Sequence, residues 1–224
     1  LGLVVLVPQG AEYQAVQRGL RQVPQADRDI ANLDIVAIPA GLQPIRNFLD
    51  RQPDNSVVRS AIRVLVMGLC GSLDPALAVG DAVMYQSCQD SSQSVWQCDT
   101  EISSNAKRVK GVCSDRLIAT AADKQLLRAQ SGCDVVDMEG TAILEFFDSR
   151  KIPVTVLRVV SDNATGDIPD LSGAIDRDGN LQSVPLAIGL IRSPLKGLRL
   201  IRGALRGLKA LTQLAATVVA NLER

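Results

Sequence analysis

The chain has no histidine. That removes Ser-His-Asp and Cys-His catalysis at a stroke, and with them the commonest transition-metal ligand. The five cysteines (Cys70, Cys88, Cys98, Cys113, Cys133) are an odd number without CxxC spacing, so they read as reduced thiols of a cytosolic protein, with neither zinc nor a disulfide framework. No apolar run reaches the ~18 residues that span a bilayer. Residues 1–7 read as a strand leading into a loop, lacking the basic flank and small-residue site of a cleavable signal. Neither GxxxxGK[ST] nor GxGxxG occurs, which argues against P-loop chemistry and a dinucleotide-dependent oxidoreductase.

What is present suits one sizeable domain: 224 residues, 46% of them apolar. The net charge is zero but unevenly spread. Residues 1–185 hold 17 Lys/Arg against 23 Asp/Glu, whereas 186–222 hold six Lys/Arg and no acid. An acidic body of this kind is a poor nucleic-acid binder. The expected division is therefore a body, 1–185, and a basic amphipathic helical segment, 186–224, packed on it.

Short β-branched runs alternate with helix-like stretches. Strands are expected at 3–7, 33–38, 64–67, 79–85, 135–137 and 154–160, with helices near 11–20, 42–49, 121–130 and 139–149. Residues 86–112 are polar and aperiodic, and read as a long excursion carrying the only tryptophan, Trp96. The alternation predicts an α/β fold: a single three-layer domain whose central sheet is mixed and mainly parallel.

Chemistry is expected where strands end. Val135-Val136-Asp137-Met138-Glu139-Gly140 is followed 22 residues later by Ser161-Asp162, each acid leaving a β-branched run. One carboxylate can hold a sugar while the other protonates a leaving group. Glu12 stands likewise just past the first strand. Each acid alone is as readily a helix-end or turn residue; the three together are harder to explain that way. Gly68-Leu69-Cys70-Gly71-Ser72 is either an N–H cradle or a tight turn in which glycine supplies positive φ. Cys70, with no histidine to activate it, reads as a small buried hydrophobe.

In order and in motif, the chain resembles the nucleoside phosphorylase / nucleosidase superfamily. The resemblance rests on Glu12 behind the first strand, Met67–Leu73 followed by Val79-Gly80-Asp81, Val136–Gly140, and Arg158–Asp162. Ala119–Lys124, together with Asp162–Ala164 leading into Asp167–Leu171, resembles a branch that includes hopanoid-associated phosphorylases.

The resemblance implies cleavage of the N-glycosidic bond of a purine nucleoside, or a 5′-modified one, by hydrolysis or phosphorolysis. It assigns Glu139 to the ribose hydroxyls, Met138 to the sugar face, Asp162 to the purine N7 and Glu12 to the attacking water. Gly68, Cys70, Gly71 and Ser161 complete the expected substrate pocket. No metal or organic cofactor is implied, with inorganic phosphate the one optional co-substrate.

Two departures stand out. Phosphate-gripping serine and arginine positions carry Leu69 and Val66, which favours hydrolysis unless Arg18 or Arg46 approaches from elsewhere. The aromatic that usually stacks on the purine is not evident. The competing expectation is a non-catalytic nucleoside-binding or membrane-associated protein of the same fold.

In the tail, Arg192, Lys196, Arg199, Arg202, Arg206 and Lys209 form one helical stripe beside leucines. It is expected to pack on the acidic body, with its basic face in solvent or against a subunit of a homo-oligomer (dimer or larger). The alternative is peripheral contact with a membrane through 192–209. Gly197, Gly203 and Gly207 should weaken that helix, and Pro194 should separate it from what precedes.

Overall fold

Alternation along the strands decides which helices meet the sheet. In a computed structural model describing residues 2–23, 33–169 and 194–221, Val4, Leu6, Val64, Val66, Val154, Val156 and Val160 face one core. Their neighbours Leu3, Val5, Val7, Leu65, Met67, Leu157 and Val159 face the other. Strands buried on both sides in this way need a helical layer on each face.

The first strands are β1 (Leu3–Pro8), β2 (Leu33–Ile38), β3 (Arg63–Ser72) and β4 (Ala82–Gln89). They are followed by β5 (Val95–Gln97), β6 (Lys107–Cys113), β7 (Val135–Asp137) and β8 (Val154–Asp162). Helices α1 (Ala11–Leu20) and α5 (Pro194–Asn221) cover one face, through Ala15, Val16, Leu20, Leu211, Ala215, Val218 and Val219. Helices α2 (Leu42–Asp50) and α4 (Gly140–Asp148) cover the other, through Ile45, Leu49, Ala142, Ile143, Leu144 and Phe147. Helix α3 (Ala121–Ser131) lies over a smaller cluster of Leu73, Val112, Ile118, Cys133 and Val136. This is the expected three-layer α/β domain. The boundary expected at 185/186, and Arg192, fall outside the described residues.

Five of the eight strand pairings are parallel and three antiparallel. Beyond the mixed sheet, the pairings close a ring, β3-β8-β4-β6-β7, because β3 trades β1 for β7 at Gly71 and Ser72. β1 and β2 extend from β3, and β5 from β4. The ring is what gathers the ends of β3, β7 and β8.

Residues 86–112 correct the sequence reading. They carry β5 and most of β6, integral members of the sheet. Their pattern misleads because β6 begins with exposed Lys107 and Arg108 and exposes Lys110 as well, while Val109, Val112 and Cys113 are buried. The glycine-rich stretch 68–72 also differs from a turn. It is the end of β3, and neither Gly68 nor Gly71 has positive φ. Pro44 is accommodated in the first turn of α2, where a backbone N–H would find no helical partner.

Helix α5 starts at Pro194, in keeping with proline's fitness for a first helical position. Its glycines, expected to weaken it, do something further. A Cβ on Gly203 would collide with the Ser161 carbonyl oxygen, and one on Gly207 would lie 3.5 Å from Ser161 Cα. Glycine lets the helix rest directly on β8 where that strand bulges: Cys70 pairs with Val160 but Gly71 with Asp162, leaving Ser161 as the extra residue. None of the described helices is long and apolar enough to cross a membrane. The outward side of α5 exposes Leu195, Leu198, Ile201 and Leu205 beside Arg199, Arg202, Arg206 and Lys209.

Gly203→Ala should lower the thermal midpoint despite alanine's better helix propensity, because overpacking costs about 1–3 kcal/mol. An unchanged or higher midpoint would show that α5 does not depend on this close approach.

Candidate active site

The site is organised by a buried cation. Arg158 lies in the middle of β8 and shares the face of Val156 and Val160, yet it is wholly inaccessible to solvent. Its Nη2 donates to Asp137 Oδ2 at 3.2 Å and to Glu139 Oε2 at 3.3 Å. Burial opposes its charge, but Asp137 and Glu139 outweigh that and raise its pKa above the ordinary guanidinium value. Removing one member of such a buried group typically costs about 3–5 kcal/mol, because the remaining charge is left uncompensated. Among the described residues, Arg158 Nε and Nη1 have no hydrogen-bond partner.

Nη1 is on the side of Gly68 and Glu12. A Cβ built on Gly68 would run into Nη1 and would sit 2.6 Å from Glu12 Oε2. Glycine at 68 is therefore a space requirement. It lets a side chain from β8 and one from α1 meet over the sheet.

Glu12 enters from the first turn of α1 and accepts a 2.6 Å hydrogen bond from the Leu69 N–H. The residue is only partly covered, but its carboxyl is enclosed by Arg158, Glu139 and the β3 backbone. Burial raises its pKa to about 7, with Glu139 pushing the same way; Arg158 and the Leu69 N–H pull down. Neither Arg18, exposed on α1, nor Arg46, paired to Glu145 at 2.6 Å, joins this group.

Glu139 is the residue on which α4 begins, delivered by the short strand β7. Its Oε1 accepts from Gly41 N–H at 2.8 Å, and burial raises its pKa, with Arg158 opposing. Gly41 adopts φ 95°, a left-handed conformation that presents its N–H at the start of α2 without the steric penalty of a side chain. Neighbouring Asp137 accepts from Gly140 N–H at 3.1 Å, and Met138 between them is half-buried.

A second group forms three residues further along β3, roughly 10 Å away at about 3.3 Å per residue. Asp162 lies against Gly71, with Oδ2 3.2 Å from where a Cβ would be. Its Oδ1 accepts from Ser161 Oγ at 2.9 Å, and Ser161 Oγ is also 3.2 Å from the Cys70 carbonyl. Its Oδ2 accepts from Lys124 Nζ, which also donates to the Asn163 carbonyl at 2.8 Å. Cys70 sits between the groups. Burial lifts its thiol well above the ordinary value, as Asp137, Asp162 and Glu12 also do, and Arg158 only partly opposes this. The small-hydrophobe reading of Cys70 fits that environment. All five cysteines are unpaired.

Thus Glu12, Gly68 and Glu139 gather at one end, and Asp162, Ser161 and Gly71 at the other. Two members were not singled out from sequence. Arg158 could have been found as a charge inside an otherwise apolar, β-branched strand. Lys124 is the only buried residue of α3, and nothing in its local sequence marks it as inward.

The fold and these two groups define an α/β protein with two carboxylate-bearing groups where its strands end. Residues 100–184 match the family described as Phosphorylase superfamily. The fold is similar to 5′-methylthioadenosine/S-adenosylhomocysteine nucleosidase from Helicobacter pylori, at TM-score 0.69 and 12% identity over 97% of both chains. It is also similar to futalosine hydrolase of the same organism (TM-score 0.65, 12% identity, 99% of this chain and 96% of that one). The 5′-methylthioadenosine nucleosidase of Arabidopsis thaliana is a third such structure (TM-score 0.62, 15% identity, 98% and 94%). No curated protein matches the chain. The family match covers residues 100–184, and the likeness in fold extends over nearly the whole chain.

The raised pKa of Glu12 has a measurable consequence for stability. Its carboxyl keeps a proton up to about pH 7 in the folded chain, against 4.5 when unperturbed. Folding is therefore favoured most below pH 4.5, and that contribution is lost as pH rises through 7. The unfolding free energy of the wild type, minus that of Glu12→Gln, should fall by about 1–3 kcal/mol between pH 5 and pH 8. Denaturant titrations giving a flat difference would show that Glu12 titrates as an ordinary glutamate.

Proposed function

We propose that this chain hydrolyses the N-glycosidic bond of a purine nucleoside or a 5′-modified purine nucleoside. The observation that carries the reading is Glu12, held against Arg158 with a pKa near neutrality. A base works best when its pKa lies close to the working pH. The attacking water would be held by Glu12 and the unpartnered Arg158 Nη1.

As C1′–N9 lengthens, the sugar gains oxocarbenium character and the base gains electrons. Glu139 has lone pairs beyond those used by Gly41 and Arg158, which can accept the ribose hydroxyls. Met138 would pack on the sugar. Asp162, at the end of β8 beside Gly71, would meet N7. The spacing of the two groups suits a sugar and a base lying side by side.

Hydrolysis is favoured over phosphorolysis by charge. One guanidinium faces the carboxyl groups of Asp137, Glu139 and Glu12, and Glu12 already takes the Leu69 N–H. A phosphate dianion added there would meet net negative charge with few free donors.

The test is release of base from adenosine, inosine and 5′-methylthioadenosine, each with and without phosphate. Release without phosphate is expected, with kcat/KM declining below about pH 7 as Glu12 protonates. Glu12→Gln should lose at least ~100-fold, the usual scale for a general base. A strict phosphate requirement would replace hydrolysis with phosphorolysis. Nucleosides that raise the melting temperature while no base appears would favour a non-catalytic binding protein instead.

The outer face of α5 supports a second role. Four exposed apolar residues beside four exposed cations, on a helix without an acid, match an interfacial helix lying on an anionic surface. Sedimentation with phosphatidylserine-containing vesicles, and not with pure phosphatidylcholine, is expected. Failure of both, with concentration-dependent self-association, would assign the stripe to a homo-oligomer.

A further inference from the structure

Helix α3 is inverted for a helix on a protein surface. Leu126 is exposed, while its one buried residue is Lys124, with no accessible surface. Burying an ammonium is costly unless it is paired and hydrogen-bonded, and the fold invests several contacts in doing so. The Thr120 hydroxyl caps the helix by accepting from Asp123 N–H at 3.1 Å, one residue before Lys124. Ala121 N–H donates to Asp167 Oδ1 at 3.0 Å, and Ile168 N–H to the Ala119 carbonyl at 2.9 Å. These bonds bind the start of α3 to the segment that follows Asp162. Lys124 Nζ is thereby fixed on Asp162 Oδ2 and the Asn163 carbonyl.

This arrangement conflicts with a resting acid at Asp162. With an ammonium donating to one oxygen and the Ser161 hydroxyl to the other, both oxygens of Asp162 serve as acceptors. An ionised aspartate has no proton to give to a leaving base. The nearest group that has one is Lys124 itself.

Resting on the glycosidic-cleavage reading above, we infer that Lys124 supplies the proton that Asp162 hands to the leaving purine. The C1′–N9 bonding pair passes into the imidazole ring of the base. N7 takes a proton from Asp162, and Asp162 takes one from Lys124 Nζ, leaving a neutral amine. Water adds to C1′ and gives its proton to Glu12. When the products depart, Glu12 loses that proton to solvent and Lys124 regains one through Asp162, so the cycle closes without another reactant. Lys124 acts through Asp162 and is a positioning and relay residue. Its distinguishing property is that lysine can part with its proton and arginine cannot.

The experiment compares two substrates in the wild type, Lys124→Met and Lys124→Arg. One is the unmodified purine nucleoside that the wild type cleaves best. The other is its 7-methyl derivative, whose base leaves without protonation at N7. Both variants should lose at least 50-fold in kcat on the unmodified nucleoside and stay within about fivefold on the 7-methyl one. Lys124→Arg keeps the charge that Asp162 needs, so it also covers the case in which Lys124→Met fails to fold. Full activity in Lys124→Arg would reduce Lys124 to a structural cation and overturn the relay. So would an equal loss on both substrates, or a wild type unable to cleave the 7-methyl nucleoside. A wild type that releases no base from any nucleoside would remove the cleavage reading itself, and the relay with it.

Discussion

The structure depends on keeping one guanidinium, that of Arg158, dry in the middle of a strand. A cation with no solvent contact is tolerable only among carboxylates, and Asp137 and Glu139 provide them at 3.2 and 3.3 Å. That need fixes where β7 must end, because both acids come from its last turn into α4. It also fixes Gly68, since any side chain there would displace the guanidinium from below. A demand of electrostatics thus becomes a demand on strand register, in which Gly68 lies opposite Arg158.

The same cluster prepares the chemistry. Three carboxyl groups compete for one positive charge, and the one least well paired is Glu12, whose one direct hydrogen bond among the described residues is from a backbone N–H. Burial then lifts it toward neutrality, the range that the proposed role as a base requires. Three residues further along β3, beside Gly71, Asp162 has an ammonium to itself. The two carboxyl groups therefore sit in contrasting environments: Glu12 is buried beside a cation that it shares, and Asp162 is bonded to an ammonium of its own. Helix α5 braces the second end, its glycines pressed onto the bulge at Ser161 beside Asp162.

Much of this was legible in the chain itself. β-branched runs announced five of the buried strands, and the acids that leave them proved to be gathered at the strand ends. β6 was hidden because its first half is charged and exposed, so it carries no long apolar run. The glycines of 68–72 were legible as special but misread in kind. Positive φ and close approach leave the same letter in a sequence, and only the neighbours distinguish them.

Amphipathic order in the sequence determined the layers. Alternating faces in β1, β3 and β8 require helices on both sides, and β-branched strands between helical segments require a mainly parallel sheet. Composition determined that no imidazole can take part in this site, since histidine is absent. Tertiary structure alone decided that the sheet closes into a ring, because pairing β7 to β3 and β4 to β8 joins residues far apart in the chain. It alone decided the partners too. Lys124 looks like any surface lysine until the fold places Asp162, 38 residues away, against it. Charge state follows from such partners and from burial, and neither exists before the chain has folded.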